Sequence, residues 1–280
     1  MRIFLTGQDG FIGGEVLRQA RAAGHEVLGL EKPFRMENPP WEKIGAFAPE
    51  ACIHCAWIAT PGEYLESPEN ICHREWSLTM IERLAAIGTR RFVVAGTCAE
   101  YGCSTDPLRE ESEPDPSTLY GCQKNLLRVQ LQEAAVGSGF ELLWARLFYP
   151  YGPGEHPDRL ISLLIRNAMQ GKRTALKQPG ALRDYIHVQD VAQGLLLLAE
   201  KGAPGIFNLG TGKGTRLTEL RTLVEEACGR DLVRSGADGP EEDSDRVVAD
   251  ITRISAFGWS PRFDITRGLN TYFPQRTAQP

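Results

Sequence analysis

The sequence predicts an α/β fold in which helices cover both faces of a doubly wound parallel sheet. Two observations support this fold class. Apolar strand signals alternate with helical stretches over the first half of the chain, and a glycine-rich turn separates the first strand from the first helix. Strands that alternate with helices form βαβ units and hence a parallel sheet. Right-handed crossovers between them then give a sheet of the Rossmann type.

The elements of this sheet can be placed in order. Residues 3–5 form a short apolar strand, and a helix follows the glycine-rich turn up to about residue 23. Gly24 ends that helix, and residues 25–30 form the second strand. Later apolar segments, each after a helical stretch, predict buried strands at 52–56, 91–95 and 142–145.

The pattern changes after residue 149, where prolines and glycines interrupt it. Helices are expected near 160–170, 188–201 and 218–228, and the acidic segment 235–245 is typical of a surface loop. We therefore predict a dinucleotide-binding Rossmann domain from residues 1–149 plus 181–209, the second part returning to the sheet. Residues 150–180 plus 210–280 would form a smaller C-terminal substrate-binding lobe.

Composition argues against several function classes. The net charge of −5 gives no electrostatic basis for binding nucleic acid or an acidic membrane surface. The longest apolar run, residues 195–199, is far shorter than the ~20 residues of a membrane span. Seven cysteines and an opening directly on a strand, with no room for a leader, indicate a cytoplasmic protein with reduced thiols. No metal site is expected, because Cys52 and Cys55 lie in an apolar strand.

A glycine-rich loop joins the first strand to the first helix. Its glycines allow a tight turn and close approach of the backbone to a pyrophosphate, and the helix N-terminus offers free N–H groups to that anion. The loop therefore predicts a site for NAD or NADP, with a purely structural turn as the alternative. The residues assigned to the cofactor are Gly7, Gln8, Asp9, Gly10, Phe11 and Ile12.

Glu31 ends the second strand. A carboxylate at this place bonds the adenosine ribose hydroxyls and repels a 2′-phosphate, which favours NAD. Lys32 and Arg35 follow closely and offer the alternative of holding that phosphate, as NADP would require. The sequence leaves both cofactors open and leans to NAD.

Tyr120 and Lys124 lie four residues apart at the start of a predicted helix, so they share one face. A free phenol has a pKa near ~10, too high for proton exchange at neutral pH. An ammonium about 4 Å away contributes roughly 4 kcal/mol at an effective dielectric of ~20, or about 3 pKa units. The pair therefore predicts a phenol with a pKa close to neutrality. The same spacing is also typical of an exposed helix face.

Thr97 supplies a hydroxyl at the carboxyl end of the strand that begins at residue 91, where a doubly wound sheet binds its ligand. With this residue in place, the chain resembles the extended short-chain dehydrogenase/reductase family of nucleotide-sugar epimerases, dehydratases and ketoreductases. The resemblance covers nearly the whole chain and rests on seven segments in a fixed order. They are 6–13, 54–56, 97–102, 120–124, 151–154, 183–188 and 207–210.

The resemblance implies roles for the matching residues. Tyr120 would be the acid/base that moves a hydroxyl or carbonyl proton, and Thr97 would bond the same substrate oxygen. Lys124 would bond the nicotinamide ribose and lower the pKa of Tyr120, and Ala56 would contact the cofactor.

Substrate contacts are implied as well. Arg183 would meet a substrate phosphate, for which a planar guanidinium is suited, unless it forms a structural ion pair with Asp184 or Asp190. Tyr149 stands where many relatives carry an Asn that helps to hold the diphosphate. Arg246 is the candidate replacement for an arginine that many relatives carry before the last Ala-Asp pair.

The resemblance also argues against a 4,6-dehydratase. Dehydratases of the family place an Asp-Glu pair, or at least a Glu, after the active-site Thr, where this chain has Cys98 and Ala99. Glu100 is one position further on and would point to the opposite face in an extended segment. Cys98 could be a second acid/base or a small packing residue, and His156 could contact substrate or solvent.

These observations favour an NAD(P)-dependent 4-ketoreductase that transfers hydride at C4 of a nucleotide-diphosphate sugar. A nucleotide-sugar 4-epimerase is the alternative, and a dinucleotide-sensing scaffold protein without turnover is an alternative of another class. A homodimer is expected, because in relatives two matching helices form a four-helix interface, although their apolar stripes could simply face the core. The stripes are Leu78, Ile81, Leu84 and Ile87 on one helix and Leu126, Leu127, Val129 and Leu131 on the other.

Overall fold

The computed structural model describes residues 1–30, 38–102, 104, 106–230, 238 and 246–273. Its strands are β1 Arg2–Thr6, β2 Glu26–Gly29, β3 Ala51–His54, β4 Arg91–Thr97, β5 Glu141–Leu147, β6 Pro150–Tyr151, β7 Leu182–Arg183, β8 Ile186–His187, β9 Gly205–Leu209, β10 Thr215–Arg216 and β11 Arg246–Val247. Its helices are α1 Phe11–Ala22, α2 Trp41–Phe47, α3 Glu69–Ala86, α4 Leu119–Ser138, α5 Leu160–Met169, α6 Val188–Lys201, α7 Leu217–Ala227, α8 Thr252–Ser255 and α9 Ile265–Asn270. A 3-10 turn spans Cys98–Glu100.

Six parallel strands form the central sheet, in the order β2-β1-β3-β4-β5-β9. The chain runs outward from β1 in both directions, so the strand order reverses between β1 and β3. Strands β4 and β5 pair from Arg91 opposite Glu141 to Thr97 opposite Leu147. Strand β9 then returns to the sheet beside β5. The predicted fold class, a doubly wound parallel sheet, is confirmed.

Both faces of the sheet are covered by helices. Side chains alternate between faces along a strand, so Ile3 and Leu5 pack with α1 and α6 while Phe4 packs with α3 and α4. All three side chains are fully buried, and each such burial contributes about 1.5–3 kcal/mol. Burial on both faces explains why the strands appear in the sequence as continuous apolar runs.

The second lobe has its own core. Side chains from α5, α7 and α9 meet there, among them Leu164, Leu220 and Leu269. Two small sheets connect this lobe to the central sheet: β6 pairs with β8, and β7 lies between β10 and β11. These two-residue strands were not predicted, because so short a pairing leaves no periodic signal.

The predicted helices agree with the observed ones to within one residue at each end for α5, α6 and α7. Helix α2 lies in the helical stretch expected before β3, whose bounds the sequence did not predict. Of the predicted surface loop 235–245, only Asp238 lies within the described residues, and its carboxylate is held by Arg221 at 2.7 Å. Within the described ranges, no helix has both the length and the apolar character needed to cross a bilayer.

Candidate active site

A cleft of about 410 Å³ opens beside the carboxyl ends of the central strands. This edge is where a doubly wound sheet binds ligands. The side chains with functional groups around it include Thr97, Tyr120, Lys124, Tyr149, Arg159 and Arg183. No Asp or Glu is among the described residues that line the cleft, so its charged groups are all cations.

The cofactor loop lies at the end of β1, and its Ile12 lines the cleft. Gly7 has a φ of 76°, and a Cβ there would lie 2.9 Å from the backbone nitrogen of Ala56. The loop backbone therefore packs directly on the peptide between Cys55 and Ala56, just after β3. Gly10 is the N-cap of α1 and no side chain caps this helix, so its terminal N–H groups suit an anionic ligand. The loop fits the pyrophosphate of a dinucleotide.

The other predicted cofactor residues are dispersed around this loop. The side-chain amide of Gln8 lies against Gly29 at the end of β2. Asp9 is exposed and Phe11 is the first residue of α1. Glu31 lies outside the described residues.

His54 ties the cofactor strand to the rest of the site, a role not predicted from the sequence. Its Nδ1 lies 2.7 Å from the Thr6 hydroxyl and its Nε2 lies 2.8 Å from the Ser77 hydroxyl. The Thr6 hydroxyl also accepts a hydrogen bond from the backbone N–H of Ala56. Burial lowers the pKa of His54 to about 3, so this imidazole is neutral at physiological pH and acts as a structural bridge.

Tyr120 is placed by the start of α4. The Thr118 hydroxyl caps the helix by accepting a hydrogen bond from the N–H of Gly121. A Cβ on Gly121 would lie 2.3 Å from the carbonyl oxygen of Ala99, so glycine allows this helix to approach the 3-10 turn closely. Tyr120 and Thr97 come together across that approach, and the Thr97 hydroxyl acts to lower the pKa of the phenol.

Lys124 points along the base of the cleft. Its Nζ donates a hydrogen bond of 2.8 Å to the carbonyl of Ala95 and lies 3.9 Å from the centre of the Trp57 ring. Burial lowers the pKa of Lys124 to about 7, and the Glu100 carboxylate acts in the opposite direction.

The pKa predicted for Tyr120 needs correction. Burial raises the pKa of the phenol, and the hydrogen bond with Thr97 only partly offsets this effect. The expected shift toward neutrality is absent because the Lys124 ammonium is directed at the Ala95 carbonyl and the Trp57 ring. The phenol is therefore protonated at neutral pH.

Glu100 faces away from the cleft, as the sequence predicted. Its fully buried carboxylate accepts hydrogen bonds from the Thr97 N–H at 2.9 Å, Trp144 Nε1 at 2.8 Å and Arg146 Nε at 2.8 Å. Cys98 and Ala99 line the cleft instead. Burial raises the pKa of the Cys98 thiol to about 12, so it is neutral.

Tyr149, Arg159 and Arg183 form the opposite wall of the cleft. The guanidinium of Arg183 lies 5.6 Å from the centre of the Tyr149 ring. The two carboxylates considered as its structural partners are engaged elsewhere. Asp184 accepts hydrogen bonds from Thr211, Gly212 and Ala249, and Asp190 pairs with Arg262.

The structure does not bring Arg246 into the cleft. In the small sheet, Val247 lies opposite Arg183 and both line the cleft, whereas Arg246 lies opposite Leu182. Residues opposite each other on neighbouring strands share one face of the sheet, and successive residues along a strand alternate between faces. Arg246 therefore lies on the other face of the small sheet from Arg183. His156 is also outside the lining: it is exposed, and its Nδ1 accepts a hydrogen bond from the N–H of Asp158.

Arg159 is a cleft residue that the sequence analysis missed. It is the N-cap of α5, a position with no distinctive pattern for an arginine. Its Nη2 lies 3.4 Å from the carbonyl of Ala59, and its guanidinium lies 5.2 Å from the Tyr64 ring. The Tyr64 ring in turn contacts that of Tyr120 edge-on at 5.0 Å.

Comparisons with known proteins agree with this geometry. The sequence profile described as NAD dependent epimerase/dehydratase family matches residues 3–210. The chain is 27% identical to a UDP-glucose 4-epimerase of Rhizobium meliloti, over 94% of this chain and 93% of that protein. It is 25% identical to a GDP-6-deoxy-D-mannose reductase of Pseudomonas aeruginosa, over 96% of this chain and 94% of that protein.

Solved structures give the same result. The UDP-glucose 4-epimerase of Thermotoga maritima, determined with UDP-glucose, superposes with a TM-score of 0.85 at 25% identity and covers 100% of both chains. The resemblance carried by the seven sequence segments is confirmed. The chain is an enzyme of the short-chain dehydrogenase/reductase type and belongs to the NAD dependent epimerase/dehydratase family.

Proposed function

We propose that the protein is an NAD(P)-dependent oxidoreductase that transfers hydride at C4 of a nucleotide-activated sugar, acting as a 4-ketoreductase. The observation that carries this proposal is the convergence of Tyr120, Thr97 and Lys124 on one cleft beside the cofactor loop. A phenol and a hydroxyl that line the same cleft can both bond one substrate oxygen.

The cofactor would be held mainly by the first part of the chain. The groups that would contact it are residues 7–12, Ala56 and Lys124, around the cofactor loop at the ends of β1 and β3. Glu31 is the residue we propose for the adenosine ribose. Bound there, NAD or NADP supplies or accepts the hydride. Solved relatives were determined with NAD or with NADPH, so both remain candidates and Glu31 favours NAD.

The protein's own groups handle the proton. During reduction, the Tyr120 phenol donates its proton to the C4 oxygen, and the Thr97 hydroxyl bonds the same oxygen. Burial keeps that phenol protonated, which suits a reductase, whose first need is a proton donor. Lys124 stabilises the phenolate that forms and bonds the nicotinamide ribose.

The substrate would lie against the second lobe. We propose that Arg183 and Tyr149 hold the diphosphate, because no described carboxylate lines the cleft to repel it. In the proposed division, residues 1–149 plus 181–209 form the cofactor domain and residues 150–180 plus 210–280 the substrate lobe, so Tyr149 and Arg183 would bind the substrate from the border of the cofactor domain. Arg246 could contribute only through a rearrangement of the small sheet.

A 4-epimerase is the second candidate, favoured by relatives such as the Rhizobium meliloti enzyme. An epimerase must first remove a proton from the C4 hydroxyl, which requires an ionised Tyr120. A 4,6-dehydratase is disfavoured because Ala99 cannot move a proton and Glu100 is enclosed by Thr97, Trp144 and Arg146.

The test is to incubate the purified protein with a 4-keto nucleotide sugar and reduced cofactor, and to follow the nicotinamide absorbance. A ketoreductase oxidises the cofactor in proportion to product. An epimerase instead interconverts 4-hydroxy epimers without net change in the cofactor, and a dehydratase yields a product lighter by one water. Tight cofactor binding without turnover of any nucleotide sugar would instead support the scaffold hypothesis.

A further inference from the structure

We infer that Trp57 is a positioning residue, whose indole face holds the Lys124 ammonium at the base of the cleft and favours its charged form, and that Asn70 fixes the indole. The inference rests on the proposed hydride-transfer function and adds two residues that position Lys124 for it. It comes from the contacts of three residues, one in the loop after β3, one on α3 and one on α4, that the sequence did not connect.

Lys124 is a buried cation with little direct support. It is 3% exposed, and its hydrogen-bond partner is the Ala95 carbonyl. Among the described residues, no carboxylate lies within ion-pair distance of its Nζ. The Trp57 ring, 3.9 Å away, faces this ammonium with the negative side of its quadrupole. The indole therefore replaces part of the solvation that burial removes from the lysine.

The indole is fixed in orientation. Trp57 Nε1 donates a hydrogen bond of 2.7 Å to Oδ1 of Asn70, which is fully buried. The Asn70 amide nitrogen donates to the carbonyls of Tyr64 at 2.6 Å and Ser67 at 2.8 Å. One amide thus orders the loop after β3 and aims the ring of Trp57 at Lys124.

The charge of Lys124 depends on few other groups. Glu100, in the 3-10 turn, favours the ammonium, and Cys55 does so only as a thiolate. Burial raises the pKa of Cys55 to about 12, so its thiol is neutral. His54 on β3 and His73 on α3 have pKa values lowered to about 3 and about 4, so both are neutral above pH 5.

Tyr120, on the same helix as Lys124, is neutral because burial raises its pKa. Near neutrality the Ala95 carbonyl, the indole and the Glu100 carboxylate are therefore the main groups that favour the charged lysine. Removing the indole lowers the pKa of Lys124, so the lysine loses its proton at a lower pH. The alkaline limb of the kcat–pH profile should then move to lower pH.

The experiment compares Trp57→Leu, which removes the aromatic face, with Trp57→Phe, which keeps it. We expect Trp57→Leu to move the alkaline limb down by about one pH unit, equivalent to about tenfold in the proton affinity of Lys124. Trp57→Phe should move it by less than half as much. Trp41→Leu is the matched control, because Trp41 stacks on Arg83 away from the cleft.

The same variants are titrated with reduced cofactor across pH, which gives a readout independent of turnover. Cofactor affinity of Trp57→Leu should begin to fall at a lower pH than that of the unmodified protein. Should Trp57→Leu not fold, Asn70→Ala keeps the indole but loosens it, and a smaller shift in the same direction is expected. The inference would be overturned if Trp57→Leu changed neither the alkaline limb of the kcat–pH profile nor the pH at which cofactor affinity begins to fall. The same holds for Asn70→Ala if it is used in place of Trp57→Leu.

This outcome is distinct from failure of the proposed function. If Tyr120→Phe abolishes turnover while Trp57→Leu behaves as the unmodified protein, the hydride-transfer function stands and the role of Trp57 falls. If the protein turns over no nucleotide sugar, the binding titration alone still decides the role of Trp57.

Discussion

The two walls of the cleft are built in different ways. The sheet wall, formed by Thr97, Tyr120 and Lys124, is held by buried hydrogen bonds from the ends of β4 and α4. The lobe wall, formed by Tyr149, Arg159 and Arg183, consists of arginines stacked on tyrosines, all only partly buried. Thr97 and Lys124 are thus buried beside a partly buried Tyr120, whereas every side chain that would recognise an anion is only partly buried.

This difference separates chemistry from recognition. A fixed frame keeps reacting groups oriented, and the second lobe can change its side chains without disturbing that frame. The comparison predicts that substitutions in the sheet wall impair folding or kcat, and that substitutions in the lobe wall change KM.

The largest effect is expected for Arg146→Met, beneath the sheet wall. The change removes the nearer cation of the buried Glu100 carboxylate and leaves it with Arg128, 3.8 Å away. Breaking a buried pair costs about 3–5 kcal/mol. Denaturant unfolding measures this loss. The control is Arg18→Met, which breaks an exposed pair with Glu15 and should change stability by less than about 1 kcal/mol. If both variants lost the same free energy of unfolding, the buried ion pair beneath the sheet wall would be no more important to stability than an exposed pair.

Tyr120→Phe should lower turnover by roughly 10²-fold or more, since a positioned acid/base supplies at least that factor. The protein should stay folded and still bind reduced cofactor, because Phe keeps the ring that packs against Tyr64. Steady-state kinetics and a cofactor titration check both points. A variant that keeps more than about a tenth of the normal rate would exclude the acid/base assignment.

Arg183→Ala tests the lobe wall. Loss of one charged hydrogen-bond partner of a phosphate is expected to raise KM about tenfold or more while kcat changes little. Arg246→Ala is the matched control, because Arg246 lies on the opposite face of the same small sheet. A fall in kcat with KM unchanged would show instead that Arg183 acts in the chemical step and not in binding the substrate.

The smallest effect concerns association. Of the predicted stripes, Ile81, Leu84, Leu127 and Leu131 are buried in the core, so the core-facing alternative holds for them. Leu126 and Ile87 remain exposed, at 41% and 45%. We still expect a homodimer through α3 and α4, with a mass of twice 31.0 kDa in light scattering. Leu126→Glu should give monomers, and a monomer at micromolar concentration without this change would refute the interface.

The sheet wall could be predicted from local sequence patterns, whereas the lobe wall could be predicted only in part: Tyr149 and Arg183 followed from the family resemblance, and Arg159 was missed. Thr97, Tyr120 and Lys124 follow from a strand end and a helical spacing, which are local patterns. Arg159 lies at the start of α5 without any pattern, and the separation of Arg183 from Arg246 depends on the register of two-residue strands.

Long-range partners were also beyond the sequence. Glu100 and Arg146 are 46 residues apart, and Trp57 meets Lys124 only through the packing of separate elements. The pKa expected for Tyr120 was wrong for the same reason, because the direction of the Lys124 ammonium is set by Ala95 and Trp57.

The most direct test of the central claim follows the hydride itself. A 4-keto nucleotide sugar is incubated with the protein and reduced cofactor that carries deuterium at its transferable position, and the product is analysed by mass spectrometry and NMR. The account predicts one deuterium, bound at C4, and no product with Tyr120→Phe. Product without deuterium, or deuterium at another carbon, would contradict it.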